Sequence, residues 1–179
     1  MRVLDTDGQR IAYVRQKLFK FKEEILVYRD KSKAEITHRI KADKVIDWSP
    51  KYTLYDANGI ELAAAKREGA RSLFNATYKI WLGDKEVGTL KERNVWVKFL
   101  DSFFSAIPIV EFFTGHILNP QYDLKDGSEQ VIATLSKRPA FFEGFYSIEP
   151  GKISEYSEDQ QLQIALLLML IAVMERTRG

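Results

Sequence analysis

The side chains best placed to meet a ligand in this chain are basic. Lys66, Arg67 and Arg71 flank one short apolar segment, Lys91 and Arg93 the next, and Lys137 and Arg138 a later one. Near a membrane each Lys or Arg contributes about 1 kcal/mol of attraction to anionic lipid. Lys66, Arg67, Arg71, Lys91 and Arg93 are therefore the candidate residues for an anionic ligand. The competing reading is a solvated exterior whose charges guard sheet edges against unwanted pairing. Neighbours along a strand face opposite ways, so Lys66 and Arg67 serve one site only where a bulge intervenes.

Other chemistries fail on spacing. His38 and His116 have no nearby histidine or cysteine to complete a metal site. Asp5-Thr6-Asp7-Gly8 and Asp56-Ala57-Asn58-Gly59 open in the manner of a calcium loop. Gln16 and Arg67 stand where such a loop needs its closing Glu, and hairpin turns account for both stretches. No Gly-rich phosphate loop, nucleophile elbow or paired-carboxylate arrangement stands out. The expectation is a protein that is not an enzyme, with no catalytic residue, no metal and no cofactor.

Composition narrows the class. The 179 residues are 45% apolar and 29% charged, which suits one globular domain with a sizeable core. A net charge of +2, with scattered basic residues, argues against a nucleic-acid partner. The absence of cysteine excludes disulfides and thiolate chemistry. The N-terminal residues lack the apolar core of a signal peptide, so a cytoplasmic location, peripheral to a membrane at most, is expected.

The elements that would position the basic residues repeat. Five times a short apolar segment, an acidic or glycine turn and a second apolar segment lead to a basic residue. Four of these phrases recur every 24 to 27 residues, at Ala12, Ile36, Ala63 and Val87, and the fifth follows 46 residues later at Ala133. Asn-Gly and Asp-Gly suit the positive φ of tight hairpin turns. Tyr78/Ile80/Leu82 and Val131/Ala133/Leu135 alternate with the period of a strand that has one buried face. Consecutive hairpins fit an up-and-down meander, and closure into a barrel removes its edges.

A helix is expected over about 158–176. Ser157 and Gln160 form a capping box, and Glu158 and Asp159 sit at the positive end of its macrodipole. Between Leu162 and Met174 the only polar residue is Gln163. A helix that is apolar all round is enclosed by protein or by lipid. Thirteen residues rise roughly 20 Å, short of a hydrocarbon core about 30 Å thick. The helix is therefore read as the filling of the barrel.

Between the fourth and fifth phrases an aromatic-rich insertion, about 99–118, interrupts the repeat. Phe99, Phe103, Phe104 and Ile107 fall on one face of a short helix that Pro108 limits, and Phe112 and Phe113 follow. The segment reads as a plug over the barrel mouth or as a membrane or partner contact.

Hairpins of the form DxxG-x-x-(small)-x-x-(Lys/Arg) before an apolar C-terminal helix resemble the tubby-like superfamily, and within it the LURP-one-related proteins. Tubby C-terminal domains and phospholipid scramblases are more distant relatives. The resemblance is carried by Leu54 to Lys66, Ile80 to Lys91, Tyr122 to Lys137 and Asp159 to Met174. It implies a mainly β, closed antiparallel barrel of about twelve strands enclosing a central hydrophobic helix. It also implies a binding module that engages anionic phospholipid head groups or a protein at a membrane surface. The scramblase-type calcium segment is not evident, because Gly151 to Tyr156 lacks a row of acidic ligands. Two further readings stand beside this one: self-association through residues 99–118, and a scramblase-like protein whose terminal helix spans the bilayer.

Overall fold

A computed structural model describes residues 2–4, 10–16, 24–43, 51–68, 77–93, 121–138 and 145–176. The strands are β1 (Arg2–Leu4), β2 (Arg10–Gln16), β3 (Glu24–Tyr28), β4 (Ile36–Ala42), β5 (Lys51–Asp56) and β6 (Glu61–Glu68). They continue as β7 (Thr77–Leu82), β8 (Lys85–Glu92), β9 (Gln121–Lys125), β10 (Val131–Arg138) and β11 (Phe145–Pro150). A 3₁₀ turn at Lys152–Glu155 leads into the single described α-helix, α1 (Glu158–Arg176). All eleven strands form one antiparallel sheet in chain order.

The five sequence phrases are the five hairpins β1–β2, β3–β4, β5–β6, β7–β8 and β9–β10. Three of their turns share one device, an aspartate that accepts the backbone N–H two residues on. Asp30 binds the N–H of Ser32 at 2.7 Å, Asp56 that of Asn58 at 2.9 Å and Asp126 that of Ser128 at 2.8 Å. The residue three past each aspartate takes positive φ: Lys33, Gly59 and Glu129. In the last turn the left-handed position thus falls on Glu129 and not on Gly127, where the Asp-Gly pair had pointed.

Every hairpin carries a register shift, and no pairing between hairpins does. Bulges strengthen local twist and bend the bulged strand, so a bulge in each hairpin coils the sheet about an axis. That axis holds α1. Its buried residues, Ile164, Leu166, Leu167, Leu168, Leu170, Ile171, Ala172 and Met174, sweep roughly 240° of its circumference at 3.6 residues per turn. Leu162, Ala165 and Met169 form a half-buried stripe on the remainder. The inner faces of the strands supply Ile25, Val27, Leu54, Ile80, Leu90 and Leu124, with Ala63 and Ala65 leaving room where α1 packs against β6. The capping box is present: the Ser157 N–H donates to Gln160 at 3.2 Å and the Gln160 N–H to the Ser157 hydroxyl at 3.3 Å.

The expected barrel of about twelve strands is corrected. The described residues form eleven strands in an open sheet, whose outer members β1 and β11 do not pair with each other. Closure needs a continuous ladder between the first and last strands, and β1 is only three residues long. The sheet coils around the helix without closing on itself. The aromatic residues Phe99, Phe103, Phe104, Ile107, Phe112 and Phe113 lie outside the described residues, as does Arg71. Among the described residues no helix is long and apolar enough to cross a membrane.

Leu167 is fully buried on the helix axis, where an ionised carboxylate has neither water nor a partner. Leu167→Asp is expected to abolish cooperative folding, read as loss of the thermal transition in circular dichroism; a cooperative melt would refute the enclosed helix.

Candidate functional site

Cross-strand partners share a face, so the register sorts the basic residues. One outward row runs Lys51, Lys66, Lys79, Thr89, Lys125 across β5 to β9. The next runs Glu68, Thr77, Lys91, Asp123, Thr134, Glu149. Arg67 belongs to a different row, opposite Tyr78, Leu90, Leu124 and Ala133, all core residues except itself. Alternation thus puts Lys66 outside and Arg67 inside, and no bulge brings them together.

Thr89 is the centre of the cationic face. Lys79 and Lys125 flank it on the neighbouring strands, at the Cβ separation of about 5 Å that such pairs adopt. Lys91 lies two residues along the same strand and faces the same way. A groove of about 460 Å³ runs over this face, lined by Gly88 and Thr89, by the cations Lys91, Arg93 and Lys125, and by the carboxylates of Glu86, Glu92, Asp123, Asp126 and Glu129. Its floor is set by Gly88, where a Cβ would collide with the Lys125 carbonyl, so β8 and β9 approach closely only without a side chain there.

Commitments differ among the lysines. Lys79 pairs with Glu68 at 3.4 Å and Glu86 at 3.3 Å, Lys51 with Glu61 at 3.2 Å and Lys125 with Glu129 at 3.2 Å. Those hydrogen bonds and charges hold the Lys79 ammonium above its ordinary pKa, the Glu86 hydrogen bond being the largest cause. Exposed pairs of this kind contribute about 0–1 kcal/mol, so a more highly charged anion can displace the carboxylates. Among the described residues no carboxylate reaches Lys66 or Lys91.

Arg93 is spent elsewhere. Its Nε and Nη2 donate to the two Asp123 oxygens at 2.8 and 2.6 Å, and its Nη1 donates to the Gln121 side chain at 3.2 Å. The Thr134 hydroxyl donates to Asp123 at 2.8 Å. The Arg93 backbone N–H meets the Gln121 carbonyl at 2.8 Å. Arg93 and Gln121 are the two residues from which the segment 94–120 departs and returns. The clamp therefore holds Arg93, at the end of β8, to β9 and β10. Burial alone would raise the Asp123 pKa, but the hydrogen bonds from Arg93 and Thr134, then the charges of Arg93 and Lys125, hold it below the ordinary carboxylate value.

Of the five cations expected to bind an anion, the structure brings Lys66 and Lys91 onto one exposed face, turns Arg67 inward and locks Arg93. Sequence reasoning missed Lys79, Lys125 and Thr89. Lys79 was within reach, since it interrupts the alternating Tyr78 and Ile80 and so must face outward; Lys125 and Thr89 needed the pairing of β8 with β9, which crosses the 94–120 segment. His38 lies on the inner side near the start of α1, half-buried, with Nδ1 3.1 Å from the Thr37 hydroxyl. Burial lowers its pKa against the opposing pull of Asp56 and Asp159.

The clamp predicts a pH signature. A carboxylate with a depressed folded-state pKa stabilises above its ordinary value near 3.8, and that stability is lost as pH falls through the lowered value. Asp123→Asn should cost about 1–2 kcal/mol at neutral pH, and the difference from the parent should shrink as pH falls below the ordinary carboxylate value of 3.8 and through the depressed one, as measured by denaturant melts across pH.

A family model described as LURP-one-related matches residues 10–170. No curated protein and no solved structure matches the chain.

Proposed function

The chain belongs to the LURP-one-related family, itself related to the tubby-like superfamily, and we propose that it is a non-enzymatic module that binds anionic lipid head groups at a membrane surface. The observation that carries this reading is the placing of Lys79 and Lys125 on either side of Thr89, with Lys91 two residues along on the same outward face. The threonine hydroxyl can donate to an anionic oxygen while the three ammonium groups surround it. Three lysines at about 1 kcal/mol each supply an affinity gain of roughly 100-fold for an anionic over a neutral surface. Lys66 and Lys51 extend the positive row along the same face. The family match supports a binding role without catalysis.

On composition, the aromatic residues of 99–118 are proposed as a second contact. Their place in the sequence supports this, because Arg93, the last described residue before that segment, follows the end of β8 close to Lys91. A membrane reading then joins a cationic face to an apolar element, the pairing that interfacial attachment requires.

Co-sedimentation with phosphatidylcholine vesicles, with and without phosphatidylserine, tests the proposal. Pelleting should depend on phosphatidylserine and weaken as salt shortens the Debye length. The double variant Lys91→Glu, Lys125→Glu should lose at least about tenfold in affinity while melting like the parent. Equal pelleting with both vesicle types would remove the anionic head group as the ligand of the lysine face.

A further inference from the structure

Among the described residues one large apolar side chain is exposed, Ile60, with 61% of its surface open. It closes the β5–β6 turn. A single exposed aliphatic is ordinary on a protein surface; what singles this one out is the frame that holds it. The Asp56 carboxylate accepts the N–H of Asn58 at 2.9 Å and that of Ile60 at 2.7 Å. The Gly59 N–H donates to the Asp56 carbonyl at 3.3 Å, and the Asp56 N–H to the Ile60 carbonyl at 3.0 Å. The β9–β10 turn repeats all four bonds, with Asp126, Ser128, Glu129 and Gln130 in place of Asp56, Asn58, Gly59 and Ile60. One backbone frame therefore carries Glu-Gln in one turn and Gly-Ile in the other. The frame does not require isoleucine, and Ile60 is not part of the core.

Its position adds to this. The Gly83 N–H donates to the Leu62 carbonyl at 2.8 Å, so the β7–β8 turn ends level with Leu62. Ile60 lies two residues farther on, about 7 Å at the rise of a strand, and the β5–β6 tip protrudes past its neighbour. Beneath the tip the outer face carries aromatic rings. Tyr55 shares a row with Arg39 and Glu61, and Trp81, which alternates with the inward Ile80, is paired with Ala64. Both rings are half-buried. Lys79 stands two residues from Trp81 on the same face, in the row with Lys66 and Lys51. An aliphatic tip, two amphipathic rings and a line of lysines thus follow one another down β5 to β7. Tyrosine and tryptophan favour the boundary between head groups and hydrocarbon. The carboxylates nearest the tip are engaged within the protein, Asp56 by the turn amides and Glu61 by Lys51 at 3.2 Å.

We propose that Ile60 is a membrane-insertion residue: the β5–β6 tip enters the boundary of head groups and acyl chains, with Tyr55 and Trp81 at its border and the lysine row on the head groups. This rests on the lipid reading of the lysine face and adds an orientation to it. The outer face of β5 to β9 lies along the bilayer, and the β5–β6 tip reaches deepest.

The chain has no cysteine, so a single introduced one can carry a nitrobenzoxadiazole label, whose emission shifts to the blue in apolar surroundings. With vesicles of phosphatidylcholine and phosphatidylserine, the label on Ile60→Cys should shift and be quenched by lipid spin-labelled on its acyl chain. The label on Ala34→Cys, in the β3–β4 turn, should do neither. Ile60→Gln gives the tip the residue that Gln130 supplies to the same frame. Its melt should match the parent's while its affinity for the vesicles falls about tenfold. Undiminished pelleting of Ile60→Gln with no blue shift at position 60 would overturn the insertion and leave the lysine face standing. Failure of the parent itself to pellet would overturn both. Equal quenching at 34 and 60 would also overturn the insertion, since it reports lipid contact without a defined tip.

Discussion

A helix with no polar face cannot be left against water, and every other feature of this fold follows from enclosing one. Ordinary amphipathic helices need a single sheet face to cover them. α1 needs cover over roughly two thirds of its circumference, as its buried residues show. A flat sheet cannot supply that. Repeated bulges, one per hairpin, make the sheet coil, and alanines at 63 and 65 let the helix come close on one side. The wall and the filling therefore depend on each other: the strands have no core without α1, and α1 has no soluble form without the strands.

The same enclosure sorts charge. Each strand has one face toward the helix, so a basic residue has only two fates, and its register decides between them. Lys66 and Arg67 are adjacent in sequence and end on opposite sides of the wall. Outside, lysines from several strands fall into one row although like charges directly opposite are unfavourable. Glu61, Glu68, Glu86 and Glu129 relieve part of that cost at Lys51, Lys79 and Lys125. Among the described residues the relief does not extend to Lys66 or Lys91, and it is there that the face carries positive charge without a carboxylate partner.

Local features of this architecture were legible in the sequence and long-range ones were not. The five hairpins announce themselves through turn residues and alternation within a few positions, and the capping box through Ser157 and Gln160 alone. Closure was misjudged because it depends on whether β1 meets β11, residues more than 140 apart in the chain, and no local pattern reports such a pairing. β11 itself was not identified, since it has no hairpin partner of its own and follows β10 without the recurring turn. The clamp joining Arg93, Asp123 and Thr134 was missed for the same reason: its members are 30 and 41 residues from Arg93. A lone arginine at the end of a strand looks the same whether it waits for a ligand or already holds an aspartate.

The division between arginine and lysine has a physical basis. The guanidinium is a planar fork with fixed donor directions and weak hydration, suited to a bidentate carboxylate in a fixed place. Arg93 fills that role on Asp123. The ammonium groups of Lys66 and Lys91 are strongly hydrated point charges on flexible stems, and they are what remains exposed. A face built from lysines reads the amount of negative charge more than its shape. On the proposed reading, its selectivity for one anionic head group over another is weak, and any sharper choice of partner has to come from elements beside the lysine row.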